Sequence, residues 1–245
     1  MAHLRAFTRL FAIAGMFIIP AVCHTLPSPP PSLRPEPQQR DDYNWEERHQ
    51  SVLNRNAKVK PEIVFIGDSI THQWGGAPAS HRTFGKEAWE RLFHNKSVTN
   101  LGFGYDYADN AYYRILHGEL DGISPRLILI NIGTNNLGHR GDSADACAAN
   151  IAALVTLVQK KQPEAQVLIL GIYPRREPHL LASIAQVNAR LATLADGKQI
   201  RFADIGKAIS TPEGYADPRY FRDRVHPNAA GYERLAEALL PYLTE

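Results

Sequence analysis

Four side chains able to do chemistry stand at the ends of apolar runs or just before a helix. Ser69 follows the stretch IVFIGD, and Asn135 follows RLILINIG within Gly133-Thr134-Asn135-Asn136. Asp223 and His226 form a late D-x-x-H, with Pro227 next. A serine hydroxyl is a weak nucleophile until a base takes its proton. A histidine, with an ordinary pKa of about 6.5, suits that task. In a tight loop a carboxylate three residues earlier can turn the same way, accept the imidazole N–H and fix its tautomer. Attack on an ester builds negative charge on the carbonyl oxygen, which needs donors aimed at it. The Asn135 amide can supply one. Backbone N–H groups at Ser69 and in the turn Gly102-Phe103-Gly104-Tyr105-Asp106 can supply two more. The chemistry that this set fits is acyl transfer.

Singly, each residue has an ordinary explanation. Ser69 could cap a helix, Asn135 or Asn136 could serve a turn, His226 could end a loop before proline, and Asp223 could be a surface charge. Together, at three strand ends and a D-x-x-H, they favour catalysis.

The elements that must bring them together are readable as two alternating patterns. Apolar runs of strand length occupy residues 62–67, 98–102, 126–133, 165–173 and 200–205. Runs apolar at nearly every position suit strands buried on both faces of a parallel sheet. Helical periodicity marks residues 143–162, with Cys147, Ile151, Leu154, Val155 and Val158 on one stripe, and residues 180–197, with Ile184, Val187, Leu191 and Leu194. Two further helices are expected at 43–56 and 227–243. Strands alternating with helices imply an open α/β sheet wound right-handedly. Ligands of such sheets sit beyond the carboxyl ends of the strands, where these polar residues collect.

Composition bounds the rest. The 245 residues are 44% hydrophobic and 21% charged, ordinary for a globular chain. Residues 1–23 open with Arg5 and Arg9, continue as the apolar run LFAIAGMFIIPAV and end at Cys23. The run is too short for a typical membrane span, so a secretory signal peptide and export to the periplasm or medium are expected. An uncleaved anchor and a lipoprotein cysteine at Cys23 are the alternatives. Without that segment 25 basic side chains face 25 acidic ones, and no basic stripe points to nucleic acid. Only Cys147 then remains, as a buried free thiol. Residues 24–42 hold six prolines and read as an extended, poorly ordered linker. The catalytic domain is expected over 43–245.

The blocks GDS, N-x-G, G-x-N and D-x-x-H, in this order, resemble the SGNH (GDSL-type) esterases and lipases. IVFIGDSI, VTNLGFGYD, HGELDGISPRLILINIGTNN, VLILGIYPR and DRVHPNAAGY are most similar to the subgroup containing platelet-activating-factor acetylhydrolase catalytic subunits and bacterial acetylesterases. The resemblance covers about residues 60 to 243. It implies a three-layer α/β/α sandwich with a flavodoxin-like five-stranded parallel sheet, Ser69 as nucleophile, His226 as base, Asp223 as its partner and Asn135 as an oxyanion donor. It implies no cofactor and no metal. The histidines themselves show no metal-ligand spacing, and His72 is expected to face solvent or the site rim.

Two positions depart from the family pattern. Tyr105 stands where the last glycine of N-x-G-x-x-G usually gives its N–H to the oxyanion. A backbone donor survives that exchange unless the turn needs positive φ, which a bulky residue resists; Gly104 is the fallback donor. Asn136 stands where many members carry aspartate, as it does in the acetylhydrolase-like subgroup. The expected substrate is a small acetyl or short-acyl ester of a carbohydrate or lipid. An O-acetyltransferase using the same triad and a non-catalytic glycan-binding module are the competing readings. Trp74, Phe103, Tyr105, Tyr173, Tyr220 and Phe221 are the aromatic residues expected nearest the site.

Overall fold

The computed structural model describes residues 28–243. The expected signal segment, 1–23, lies outside the described residues.

Five parallel strands form the sheet: β1 (Ile63–Gly67), β2 (Val98–Gly102), β3 (Leu127–Asn131), β4 (Gln166–Leu170) and β5 (Ile200–Ala203), in the order β2-β1-β3-β4-β5. The expected strands are all present. Their apolar composition has a direct cause, because successive side chains enter opposite helical layers. Val64, Ile66, Ile128, Ile130, Val167 and Ile169 join one core. Ile63, Phe65, Leu127, Leu129, Leu168 and Leu170 join the other.

On the first face lie α1 (Trp45–Val59), α4 (Ala108–Arg114), α5 (Ala144–Lys161) and α6 (Leu181–Ala192). On the second lie α3 (Lys86–Leu92) and α7 (Ala229–Leu239). The helix α2 (Ser69–His72) is one turn that leaves β1 directly. The result is a three-layer α/β/α sandwich, and no described helix is long and apolar enough to cross a membrane. Cys147 is buried and free, and burial pushes its thiol up to about 12.

The chain crosses from β1 to β2 on one side and then returns over β1 to β3 on the other. The crevice opened by that reversal lies at the carboxyl ends of β1 and its neighbours. Gly67 ends β1 and pairs with Gly102 of β2 and Asn131 of β3. A side chain at Gly67 would collide with Thr71, and one at Gly102 with the His72 backbone. Both glycines are therefore needed for α2 to turn back against the sheet.

Residues 28–42 contain no helix or strand, in keeping with their prolines, but they are packed. Leu33 is buried, Ser32 donates to Asn150 of α5 at 2.6 Å, and the Arg34 N–H donates to Asp109 of α4 at 2.7 Å.

Candidate active site

Ser69 is the first residue of α2, carried past the sheet edge by the turn after β1. Asp68 caps this helix, its carboxylate accepting the Ile70 N–H at 2.9 Å. From α7, the Tyr232 hydroxyl donates to the Ile70 carbonyl at 2.8 Å. The serine itself is 5% exposed.

The late loop returns to meet it. Phe221 and Pro227 form an antiparallel bridge, and the Arg222 N–H donates to the His226 carbonyl at 3.0 Å. Asp223 sits in the tight turn so closed. Its Oδ1 accepts the N–H groups of Val225 and His226 at 2.8 and 2.7 Å, and Oδ2 lies 2.9 Å from His226 Nδ1. The other ring nitrogen, Nε2, lies 2.9 Å from Ser69 Oγ. The D-x-x-H spacing thus works through the backbone: the carboxylate is held by the amides of its own turn and faces the imidazole.

The charges are graded along this line. Burial works against ionisation of Asp223, but the His226 and Val225 N–H groups and the imidazole hold its carboxyl below the usual range. Burial lowers the pKa of His226, outweighing the pull of Asp223, with Arg222 and Arg175 adding to the lowering. The imidazole is therefore neutral at neutral pH. The tautomer with its hydrogen on Nδ1 donates to Asp223 and leaves Nε2 free to accept from Ser69.

Opposite Ser69 runs the turn Gly102–Asp106, and its polar groups are nearly all engaged. Arg48 Nε donates to the Gly102 carbonyl at 2.7 Å, and the Asn100 Oδ1 accepts the Gly102 N–H at 2.7 Å. The Gly104 N–H donates to His72 Nδ1 at 3.1 Å, while its carbonyl accepts from the Tyr43 hydroxyl at 3.1 Å. The Tyr105 carbonyl accepts from Gln38 at 2.8 Å. Asn135 Nδ2 donates to the Asp106 carbonyl at 3.0 Å, which orients the amide and leaves its second hydrogen for another acceptor. Two backbone donors, Ser69 N–H and Tyr105 N–H, have no partner among the described residues.

Several expectations change here. Gly104 is no fallback donor, because its N–H is committed to His72. Tyr105 does take positive φ, at +63°, which explains why glycine suits this position. A non-glycine residue in that region costs about 1–2 kcal/mol, so its surroundings must hold it. His72 neither faces solvent nor lines the rim. It is 4% exposed, and burial with Arg48 beside it pushes its pKa down to about 2, so it is a neutral acceptor. Of the aromatic residues expected at the edge, Trp74, Phe103, Tyr173 and Phe221 are core, with Tyr220 partly buried. Tyr105 alone of the six is exposed, at 41%.

Sequence reasoning missed several supports. Asn100 donates to the carbonyls of Thr71 and Gly75 at 2.7 and 2.6 Å, pinning the end of α2 to β2. Arg175, after β4, donates to Thr134 Oγ1 at 3.1 Å and so steadies the Asn135 loop. Asp106 receives Trp45 Nε1 and Arg114 Nε, both at 2.9 Å, beneath the turn. Asn136 is wholly buried and accepts the Ala108 N–H at 3.0 Å, so it holds the start of α4. The asparagine of N-x-G and the arginine of YPR were visible as motif members, but nothing in their spacing disclosed a scaffolding role. A cavity of about 680 Å³, lined by Arg55, Trp89, Phe93 and Lys96 among others, shares no residue with the triad. The side chains, not this hollow, locate the chemistry.

The model of the GDSL-like Lipase/Acylhydrolase family matches residues 65–234. Platelet-activating factor acetylhydrolase IB subunit alpha1 from Homo sapiens is 31% identical over 214 residues, covering 85% of this chain and 87% of the relative. The alpha2 subunit from Gallus gallus is 30% identical over 201 residues, covering 81% of this chain and 82% of its own. Among solved structures, a GDSL-like lipase from Bacteroides thetaiotaomicron superimposes with a TM-score of 0.65 at 21% identity, covering 80% of this chain and 96% of that one. A carbohydrate acetylesterase from Sinorhizobium meliloti does so with 0.57 at 18% identity, covering 74% and 97%. These two share the fold.

Proposed function

The chain belongs to the GDSL-like lipase/acylhydrolase family and is a carboxylic ester hydrolase, and from that premise we propose that it removes short acyl groups, acetyl foremost, from carbohydrate or lipid esters through a Ser69–His226–Asp223 triad. The observation that carries this reading is the unbroken line from Ser69 Oγ to His226 Nε2 and from His226 Nδ1 to Asp223, 2.9 Å at each step.

His226 Nε2 takes the hydroxyl proton as Ser69 Oγ bonds to the ester carbon, and the carbonyl electron pair moves onto oxygen. Asn135 Nδ2–H, Ser69 N–H and Tyr105 N–H receive that charge. Asp223 stabilises the imidazolium and keeps the ring oriented. Collapse of the tetrahedral species breaks the bond to the alcohol oxygen, which takes the proton from Nε2. The alcohol leaves and Ser69 carries the acyl group. Water, deprotonated by the same nitrogen, then releases the carboxylic acid and restores the serine.

The acetyl preference draws on the relatives whose names describe acetylhydrolases. The same reading places the enzyme outside the cytoplasm, with the basic start and apolar run of residues 1–23 as its signal peptide.

Hydrolysis of p-nitrophenyl acetate compared with longer acyl chains tests the proposal. Acetate is the preferred acyl group, and Ser69→Ala and His226→Ala each lose about four powers of ten or more in kcat. Undiminished turnover in Ser69→Ala would overturn the assignment.

A further inference from the structure

Tyr105 occupies a left-handed conformation that glycine adopts freely and tyrosine resists. Within the turn one backbone bond spans this residue, from the Asp106 N–H to the Phe103 carbonyl at 3.3 Å. The remaining support comes from residues 36–43, which lead from the proline-rich segment into α1. Arg40 lies over the Tyr105 ring, its guanidinium carbon 3.6 Å from the centroid. Gln38 donates to the Tyr105 carbonyl at 2.8 Å and, with the same amide nitrogen, to Asn110 of α4 at 2.7 Å. Asn110 in turn donates to the Glu36 carbonyl at 2.9 Å. Tyr43 closes the arrangement through its bond to the Gly104 carbonyl. The peptide plane that presents the Tyr105 N–H is flanked by groups gripped from this segment: the Gly104 carbonyl on one side, the Tyr105 side chain and carbonyl on the other.

We propose that Gln38 and Arg40 are positioning residues for the oxyanion site: they hold Tyr105 in positive φ and so keep its N–H aimed at the reacting oxygen. The idea rests on the reading of Tyr105 N–H as an oxyanion donor. Arg40 has a delocalised planar cation that packs flat on an aromatic ring, which fixes the side chain of Tyr105. Gln38 fixes the carbonyl that follows it. Together they constrain both ends of the residue whose φ must stay positive. Where a glycine stands in that turn, no such clamp is needed. The segment therefore compensates for the tyrosine and belongs functionally to the acyl site, although it precedes the first helix. Neither residue touches the substrate; both act through Tyr105.

The test is a double-mutant cycle on the full chain, with kcat and KM for p-nitrophenyl acetate as readouts. The pair Gln38→Ala and Arg40→Ala lowers kcat about tenfold, a fraction of what loss of a whole oxyanion donor costs, with KM within about twofold. In a Tyr105→Gly background the same pair lowers kcat less than about twofold, because glycine holds the turn unaided. A pair that leaves kcat unchanged, or lowers it by the same factor in both backgrounds, overturns the proposal. A general loosening of the fold gives the second of these results. Ser69→Ala, assayed alongside, separates the two levels of inference. If it stays active, the triad reading fails whatever the clamp variants do. If it is inactive and the cycle shows no coupling, the clamp alone is wrong.

Discussion

In the proposed triad Ser69 attacks only while His226 is neutral, and the surroundings of the imidazole decide when that is so. Burial, Arg222 and Arg175 lower the His226 pKa; Asp223 raises it, but by less. Protonation on the acid side of that pKa removes the base. The acid limb of kcat/KM, which reports the free enzyme, therefore lies below the ordinary histidine value of about 6.5. Asp223→Ala removes the one group that favours the imidazolium, so the limb moves to still lower pH. The ring also loses its orientation, and kcat falls by about two to four powers of ten, less than for Ser69→Ala. A pH–rate series on both proteins checks this; a limb that moves upward in the variant would contradict the assignment of Asp223. These three residues and Asn135 were legible from sequence because each follows a strand end or precedes a helix, where chemistry collects in open α/β sheets. His72 was not legible. Its role is to accept a backbone N–H from a turn on another strand, and no spacing along the chain encodes that contact.

The turn Gly102–Asp106 is an element with one conformation imposed from five directions: α1 through Arg48, α2 through His72, α4 through Arg114, the Asn135 loop, and the segment before α1. His72 is one of the buried grips. Replacing it with leucine leaves the Gly104 N–H buried without an acceptor, which costs about 1–3 kcal/mol. His72→Asn keeps an oxygen near the place of Nδ1. We expect His72→Leu to lower the thermal midpoint by several degrees and kcat by about tenfold, and His72→Asn to recover most of both. Equal losses in the two variants would show that the ring's bulk, not its acceptor, matters. At this scale the strands and the long helices were readable because their burial follows simple periods. The short helices were not: α4 buries Asp109, Asn110 and Arg114 beside its alanines, so its inward face carries no apolar stripe. Residues 28–42 misled for the opposite reason. Their prolines do exclude regular structure, but Leu33, Gln38 and Arg40 bind the segment to α4, α5 and the site.

Across the whole molecule, acidic groups are buried where the site is built, and their protonation links folding to pH. Asp68, under α2, is pushed up to about 7 by burial, despite the Ile70 N–H that it accepts. Asp106, at the end of the turn Gly102–Asp106, is pushed up to about 6 by burial, with Arg114 opposing the rise. A raised carboxyl pKa means that the folded chain binds more protons than the unfolded chain between the two values. For Asp68 the resulting stability is fully present below about 4 and is lost as pH rises through about 7. A difference of one between the folded and unfolded pKa corresponds to about 1.4 kcal/mol, so the change across that window is a few kcal/mol. As the base of the proposed triad, His226 needs the opposite condition, since a base works only when deprotonated. On that proposal activity is highest on the side of the scale where Asp68 destabilises the fold. Asp68→Asn separates the two effects, because its amide oxygen can still cap Ile70 N–H but cannot ionise. We expect the variant to gain about 3 kcal/mol on the parent protein between pH 4.5 and pH 8, measured by urea unfolding at each pH. A stability difference that stays constant across that range would place the titration elsewhere, and Asp106 is the next carboxyl to test in the same way.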